Sequence, residues 1–259
     1  SHGYPAVQER YRNVEMAKHT YPVNFDVLKH ARGVFVHSEY SRQLAQKWYG
    51  KEIGQDWQVI PLVRTKVEAL GGTDIRERLG FAKNDFLICS FGFLDSTKLN
   101  HRLLDCWLNS ALAKDEKCHL VFVGENHGDS YGTQLLQTIR SSGLGRRIRI
   151  TGFASPELFR HYLMAADVAV QLRTMSRGET SAAVLDCMNH ALPVIMNANG
   201  SMAELDSEAV WLLPDEFSDA MLIEAMETLW RQPETRKTLG ERAGAIVHHR
   251  HAPAECAQC

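Results

Sequence analysis

Two rhythms of apolar residues alternate along most of this chain. Short runs, mostly apolar, at 86–91, 119–123, 147–151, 168–172, 193–196 and 209–213 have the length and the branched or aromatic content of strands. Between them, apolar residues recur at helical spacing over 103–113, 131–141, 156–166, 180–190 and, in part, 202–206. A helical tail covers 218–247 and should break at Pro233. Strands separated by crossover helices pair in parallel, because each crossover returns the chain to the same end of the sheet. The pattern predicts an α/β fold with a doubly wound parallel sheet of six strands, in the order 3-2-1-4-5-6.

That order opens a crevice between the first and fourth strands, outside their carboxyl ends. The loops predicted to line it are 92–98 and 173–179. The first, within FGFLDSTKLN, offers Gly92 for close backbone approach and Lys98 as a mobile ammonium. The second carries Arg173, Thr174, Ser176, Arg177 and Gly178, and leads past Glu179 into a helix capped by Thr180 or Ser181. Small Ala182 and Ala183 leave the first-turn amides open, and those amides with the helix dipole stabilise an anion such as a diphosphate. Glu179 and Asp186 lie about two turns apart on roughly one face. A helix start flanked by two acids can hold a phosphate together with sugar diols. A plain helix cap with solvated acids, and a solvated lysine at 98, are the competing readings.

The N-terminal quarter is organised differently. Residues 3–23 look helical without a clear apolar face. A helix near 25–31, a strand at 34–37, a Ser38-capped helix at 41–49 ending on Gly50, and a strand at 58–62 follow. A boundary at 64–73 is marked by Gly71-Gly72, and a short helix at 74–79 stops at Gly80. The expected division is therefore 1–63 and 64–259.

The stretch GETSAAVLDCMNHALPVI resembles the donor-site segment of retaining, GT-B-fold glycosyltransferases of family four, usually Glu, seven residues, Glu, then a short helix and a Gly-Leu-Pro-Val strand. Asp186 takes the place of the second acid. Gly178 holds the strict position of the first, with Glu179 one residue late. Leu172-Arg173 with Gly178-Glu179-Thr180-Ser181 is similar to a subgroup of the same family. Gly92 and Lys98 match the family's Gly-Arg-x-x-x-x-Lys loop, where Phe93 replaces the phosphate-binding arginine and Arg173 or Arg177 is the candidate substitute. Val121-Phe122-Val123-Gly124-Glu125 resembles the second strand and its glycine turn, with Glu125 read as a solvated surface acid. Gly152 and Phe153 match the end of the third strand, next to the donor's base. Gly200-Ser201-Met202-Ala203-Glu204-Leu205 resembles the family's Gly-x-x-Glu segment after the fifth strand, and Glu204 reads as structural.

The resemblance implies a Rossmann-like donor-binding domain over 64–259, preceded at 1–63 by the last part of an acceptor domain whose remainder lies outside this chain. It implies a nucleotide-diphosphate sugar donor, UDP- or GDP-linked and of mannosyl type among the options, and a glycan or lipid-linked acceptor as in polysaccharide biosynthesis. The implied catalytic residues are Glu179 and Lys98. Donor contacts fall to Gly92, Phe93, Lys98, Arg173, Gly152, Phe153, Gly178, Glu179, Thr180, Ser181, Ala182 and Asp186, with Asp186 on the ribose. No metal is expected, because Lys98, the helix-start amides and a nearby arginine supply the positive charge and no Asp-x-Asp triplet is present. Peripheral membrane association of a full-length protein is compatible with such a role.

Composition narrows the alternatives. The 29 basic and 31 acidic residues balance, which argues against a nucleic-acid protein with a broad basic face. No apolar run reaches membrane-spanning length, and four of six cysteines (Cys89, Cys106, Cys118 and Cys187) fall in apolar contexts, so a cytoplasmic protein is expected. His248, His249, His251, Cys256 and Cys259 have ligand types for zinc, but a second Cys-x-x-Cys is absent. A nicotinamide oxidoreductase would need Gly-x-Gly-x-x-Gly after the first strand, and a serine hydrolase Gly-x-Ser-x-Gly; neither is present. A sugar-nucleotide epimerase of the GT-B type and a non-catalytic nucleotide-sugar-binding half remain as rivals.

Overall fold

The computed structural model describes residues 25–67 and 75–258, so the helix expected at 3–23 and the Gly71-Gly72 boundary lie outside the described residues. The N-terminal piece is a helix α1 (Phe25–His30), strand β1 (Phe35–Val36), helix α2 (Glu39–Tyr49) and strand β2 (Gln58–Val59). The two strands pair in parallel, with Phe35 opposite Gln58. Each is shorter than the sequence suggests, because the flanking positions pair with no further strand among the described residues. Ser38 caps α2 by accepting from the Ser41 amide, and Gly50 ends it at φ 112°.

After α3 (Ile75–Arg78) come β3 (Phe86–Phe91), α4 (Asn100–Leu108), β4 (Cys118–Val123), α5 (Ser130–Ser141) and β5 (Ile148–Ile150). The chain continues through α6 (Pro156–Ala165), β6 (Val168–Gln171), α7 (Ala182–Asn189), β7 (Val194–Asn197) and β8 (Trp211–Leu213), and closes with α8 (Asp219–Arg231), α9 (Pro233–Arg250) and α10 (Pro253–Cys256). The sheet order is β5-β4-β3-β6-β7-β8, all parallel. This is the predicted 3-2-1-4-5-6.

Every residue of β3, β4, β6 and β7 is buried, as strands covered by helices on both faces must be. Successive side chains of β3 alternate between two cores. Leu87, Cys89 and Phe91 join Leu185, Met188 and Val247, while Phe86 and Ile88 join Trp107, Met226 and Leu229. Each large apolar side chain so buried contributes about 1.5–3 kcal/mol. Cys89, Cys106, Cys118 and Cys187 are buried free thiols, and burial pushes all four up, Cys106 and Cys118 to about 12.

Two elements differ from the sequence pattern. The helix expected at 103–113 starts at Asn100 and stops at Leu108, followed by a 3₁₀ turn, Ala111–Lys114. Its early start follows from Asp95, whose carboxylate caps a 3₁₀ turn at Ser96–Lys98 that runs straight into α4. The piece at 202–206 is a 3₁₀ turn, Gly200–Glu204. Pro233 does break the tail, separating α8 from α9 by one residue. The end of α9 then returns to the segment after β2: the Arg64 amide donates to the His251 carbonyl (2.7 Å), and His251 Nδ1 to the Leu62 carbonyl (2.9 Å).

Candidate functional site

Because β3 and β6 are neighbours, the loops that follow them meet. The Thr174 amide donates to the Thr97 carbonyl (2.8 Å), joining the two predicted crevice loops directly. Gly92 has φ 102°, and a Cβ there would come within 2.8 Å of Lys98 Nζ, so the ammonium lies over the glycine backbone. Burial pushes the Lys98 ammonium below its ordinary value, Arg173 lowers it further, and Asp95 works against both. Asp95 itself is held down: burial raises it, but two hydrogen bonds from Thr97 and the charges of His127 and Lys98 prevail. Lys98 and Arg173 thus form a cationic pair at the mouth of the crevice.

Arg173 is not idle. Its guanidinium pairs with the Glu179 carboxylate, whose other oxygen accepts the Arg177 amide (2.7 Å). The Arg173 backbone is fixed at both ends of its peptide unit by Asn197, which donates to its carbonyl (2.7 Å) and accepts from its amide (2.8 Å). Asn199 accepts the Ser176 amide (3.0 Å) and donates to Asp215 (2.9 Å). Gly178 adopts φ 97°, and the Ser41 hydroxyl from α2 donates to its carbonyl. Of the two candidate caps, Ser181 is the one used, accepting from the Val184 amide. The Thr180 hydroxyl is buried without a partner among the described residues.

Two more loops complete the rim. A Cβ at Gly124 would fall on the Gly92 carbonyl, and the Gly124 amide donates to the Thr151 hydroxyl (3.0 Å), so the turns after β3, β4 and β5 are pressed together. Gly152 turns at φ 71° and leaves Phe153 79% exposed. Phe93, 42% exposed, packs edge-on against His127 with ring centroids 4.6 Å apart. His127 in turn lies between Asp95 (3.6 Å) and Asp129 (3.7 Å).

Asp186 sits one turn into α7 and is met by Arg64, from the segment after β2. Its Oδ1 lies 2.7 Å from Nε of Arg64, and Arg64 Nη2 donates to the Ala182 carbonyl (3.0 Å). The Nε–H does not lie along the line to Oδ1, so the contact is an ion pair more than a hydrogen bond. A cleft of about 440 Å³ opens beside it, lined in part by Thr65, Lys66, Phe159, Arg160 and His190.

The N-terminal piece reaches the site through residues that sequence reasoning did not single out. The Tyr40 ring lies 3.3 Å from where a Cβ on Gly200 would stand, and burial with the charges of Glu179 and Asp215 pushes its phenol up. Glu204 accepts the Glu39 amide (3.1 Å) and the Tyr40 amide, capping α2 from the other lobe. This contact is the structural role expected for Glu204. Arg64 and Tyr40 carried no local signal. Asn197-Ala198-Asn199 did: two amides at the buried end of an apolar strand are unusual unless they hold something. Two of the three tail histidines have internal partners, His248 with Asn189 (3.1 Å) and His251 with Leu62. Among the described residues no group of three or more His, Cys, Asp or Glu gathers as a metal site, and no helix is long and apolar enough to cross a membrane.

No curated protein matches the chain. Among solved structures, Anabaena Alr3699/HepE in complex with UDP and glucose is similar at 20% identity and TM-score 0.78, covering 95% of this chain and 66% of its own. Sucrose-phosphate synthase (tll1590) from Thermosynechococcus elongatus is similar at 19% identity and TM-score 0.79, over 100% of this chain and 64% of its own. The C-terminal domain of a glycosyl transferase group 1 family protein (LpcC) from Francisella tularensis matches at 18% identity and TM-score 0.63, over 73% of this chain and 96% of its own. The chain thus spans just under two thirds of the length of the first two, and these likenesses speak for the fold. The sequence model described as "Glycosyl transferases group 1" matches residues 72–245, well over half of the chain. With the doubly wound sheet and the crevice between β3 and β6 in view, the chain belongs to the group 1 glycosyl transferases.

Proposed function

We propose that residues 64–259 bind the nucleotide-diphosphate sugar of a retaining glycosyltransferase of family four, and that residues 1–63 are the end of its acceptor-binding domain. The observation that carries this reading is the cationic pair: Lys98 over the Gly92 backbone, beside Arg173, at the start of α7. A diphosphate leaving group gathers negative charge as the glycosidic bond breaks, and fixed cations with helix-start amides stabilise that charge in place. Arg173 takes over the task of the arginine that Phe93 replaces. Ser181 and Ala182 bring the helix-start amides to the diphosphate, Gly178 and Thr180 line the approach to them, Glu179 faces the donor sugar, Asp186 the ribose, and Gly152 with Phe153 the base. Anabaena Alr3699/HepE is solved with UDP and with UDP-glucose, which favours a UDP-sugar over a GDP-sugar, mannosyl donors included. The acceptor, a glycan or a lipid-linked saccharide, would approach from the N-terminal side.

Two cations in the crevice make a divalent metal unnecessary for binding. Calorimetry should therefore give UDP the same affinity with and without EDTA. A loss beyond tenfold, about 1.4 kcal/mol, would reject the metal-free reading. The same titrations should show binding of UDP and UDP-glucose without turnover by this chain, since a chain of just under two thirds of the related length supplies only part of an acceptor site. Multiple-turnover transfer to an acceptor would sink the division of labour proposed here, and no binding of any nucleotide diphosphate would sink the donor site itself.

A further inference from the structure

We propose that Arg64 is a positioning residue for the donor's ribose, orienting Asp186 from outside the helix that carries it. The proposal rests on the reading of Asp186 as the ribose ligand. Three observations support it. The guanidinium spans a full turn of α7, from the Ala182 carbonyl to Asp186 Oδ1, so it fixes both the carboxylate and the turn that presents the diphosphate amides. The arginine side chain is only 14% exposed, against 33% for Asp186, so the arginine is the anchored partner and the aspartate the presented one. The pair engages Oδ1, which leaves Oδ2 for the ribose hydroxyls.

The Arg64 backbone is equally constrained. Its amide donates to the His251 carbonyl, Leu62 accepts from His251, and Thr65 accepts from the Asn189 side chain (2.9 Å) at the far end of α7. Asn189 is held in turn by His248. The segment between the two lobes is therefore fastened to α7 and α9 on either side of Arg64, and the reach of the guanidinium is set by that fastening. An aspartate has one methylene fewer than glutamate, so its carboxylate lies close to the helix and benefits most from an external cation that selects its rotamer. A linker arginine does this without occupying the oxygen that the ribose needs.

The test separates positioning from general damage by asking about the ribose alone. UDP and 2′-deoxy-UDP, with GDP and 2′-deoxy-GDP beside them, are titrated into wild type, Arg64→Ala, Asp186→Asn and the double variant. Wild type should prefer the ribonucleotide by about tenfold or more, the value of a hydrogen bond to a charged acceptor. Arg64→Ala should lose most of that preference, and adding it to Asp186→Asn should change the preference no further. An arginine that merely holds the fold would weaken ribo- and deoxynucleotides alike and leave their ratio intact; that result overturns the proposal. Additive losses in the double variant overturn it as well. Absence of any wild-type preference for the ribonucleotide overturns the ribose assignment of Asp186 and this proposal with it. If Arg64→Ala does not fold, Arg64→Gln, which can still donate to the Ala182 carbonyl but bears no charge, is read in the same way, and Arg64→Lys should restore part of the preference.

Discussion

The two loops that face each other across the crevice are built on opposite plans. The loop after β3 is held at its start by backbone, with Asp95 capping only the turn that follows: the Gly92 amide donates to Val123, the Leu94 amide to Glu125, Leu94 is fully buried, and Gly124 presses against the Gly92 carbonyl. The loop after β6 is held by side chains, with Asn197, Asn199, Glu179 and Ser41 supplying its bonds and Met175 exposed at φ 61°. Backbone bonds in an apolar setting have no competitor when a ligand arrives. Ion pairs and side-chain bonds at a solvated mouth do. One loop therefore provides a fixed platform for a phosphate, and the other an adjustable wall whose internal counterion, Glu179, must share Arg173 with the ligand.

The largest expected effect breaks this contrast on the fold itself. Gly124→Ala would drive a methyl into the Gly92 carbonyl and should destabilise by about 3 kcal/mol, the upper range for overpacking. Gly178→Ala, in the side-chain-held loop, meets nothing closer than Leu44 Cδ2 at 3.4 Å and should cost about 1 kcal/mol, from its positive φ. Urea midpoints compare the two, and equal losses would erase the distinction between platform and wall.

Next in size is the difference between the two cations. Lys98→Ala should weaken UDP by about 2 kcal/mol, roughly thirtyfold, since it removes a charged donor with no competing partner on its own loop but Asp95. Arg173→Ala should cost only about threefold, because part of its charge is already met by Glu179. Glu179→Gln should then tighten bare UDP about threefold while weakening UDP-glucose, which loses its contact to the sugar. Unchanged UDP affinity would mean that the Arg173–Glu179 pair does not compete with phosphate.

The smallest expected effect is on pH. The Lys98 ammonium is held below its ordinary value by burial and by Arg173, and only its charged form attracts a diphosphate. UDP affinity should fall as pH rises through that lowered value, before an ordinary lysine would begin to lose its proton, and binding around and above it should draw a fraction of a proton from solution. Titrations in buffers of different ionisation enthalpy measure that uptake. A flat profile up to the ordinary lysine range would remove Lys98 from contact with the phosphates.

The sheet order was legible because β3, β4, β6 and β7 are buried on both faces and leave mostly apolar runs. Adjacency of the crevice loops followed from that order alone. The Ser181 cap and the helix break at Pro233 were legible for local reasons, one in hydrogen bonding and one in ring geometry. The start of α4 was missed because Asp95 caps a tight turn eight residues before the apolar stripe begins at Leu103. Arg64 was invisible, since its partner Asp186 lies 122 positions away and nothing in the linker's periodicity marks it. The tail histidines looked like ligands because sequence shows their donor atoms and not the Leu62 carbonyl and Asn189 amide that occupy two of them.

The carboxylate of Glu204 on the first amides of α2 has a mechanical meaning. A hydrogen bond of this kind is lost within about 1 Å of stretch and below about 120°, so it has almost no range. Electrostatic attraction between lobes would act over several ångströms and grade smoothly with angle. This contact acts instead as a detent: it marks one setting of α2 against the sheet and offers no force toward it from elsewhere. The setting is also insensitive to salt compared with a surface ion pair, because the acceptor meets amide dipoles and not a mobile counter-charge. Rotation of the N-terminal piece would then require release of this carboxylate together with the Ser41–Gly178 bond, and the cost of leaving the setting would be concentrated in its first fraction of an ångström.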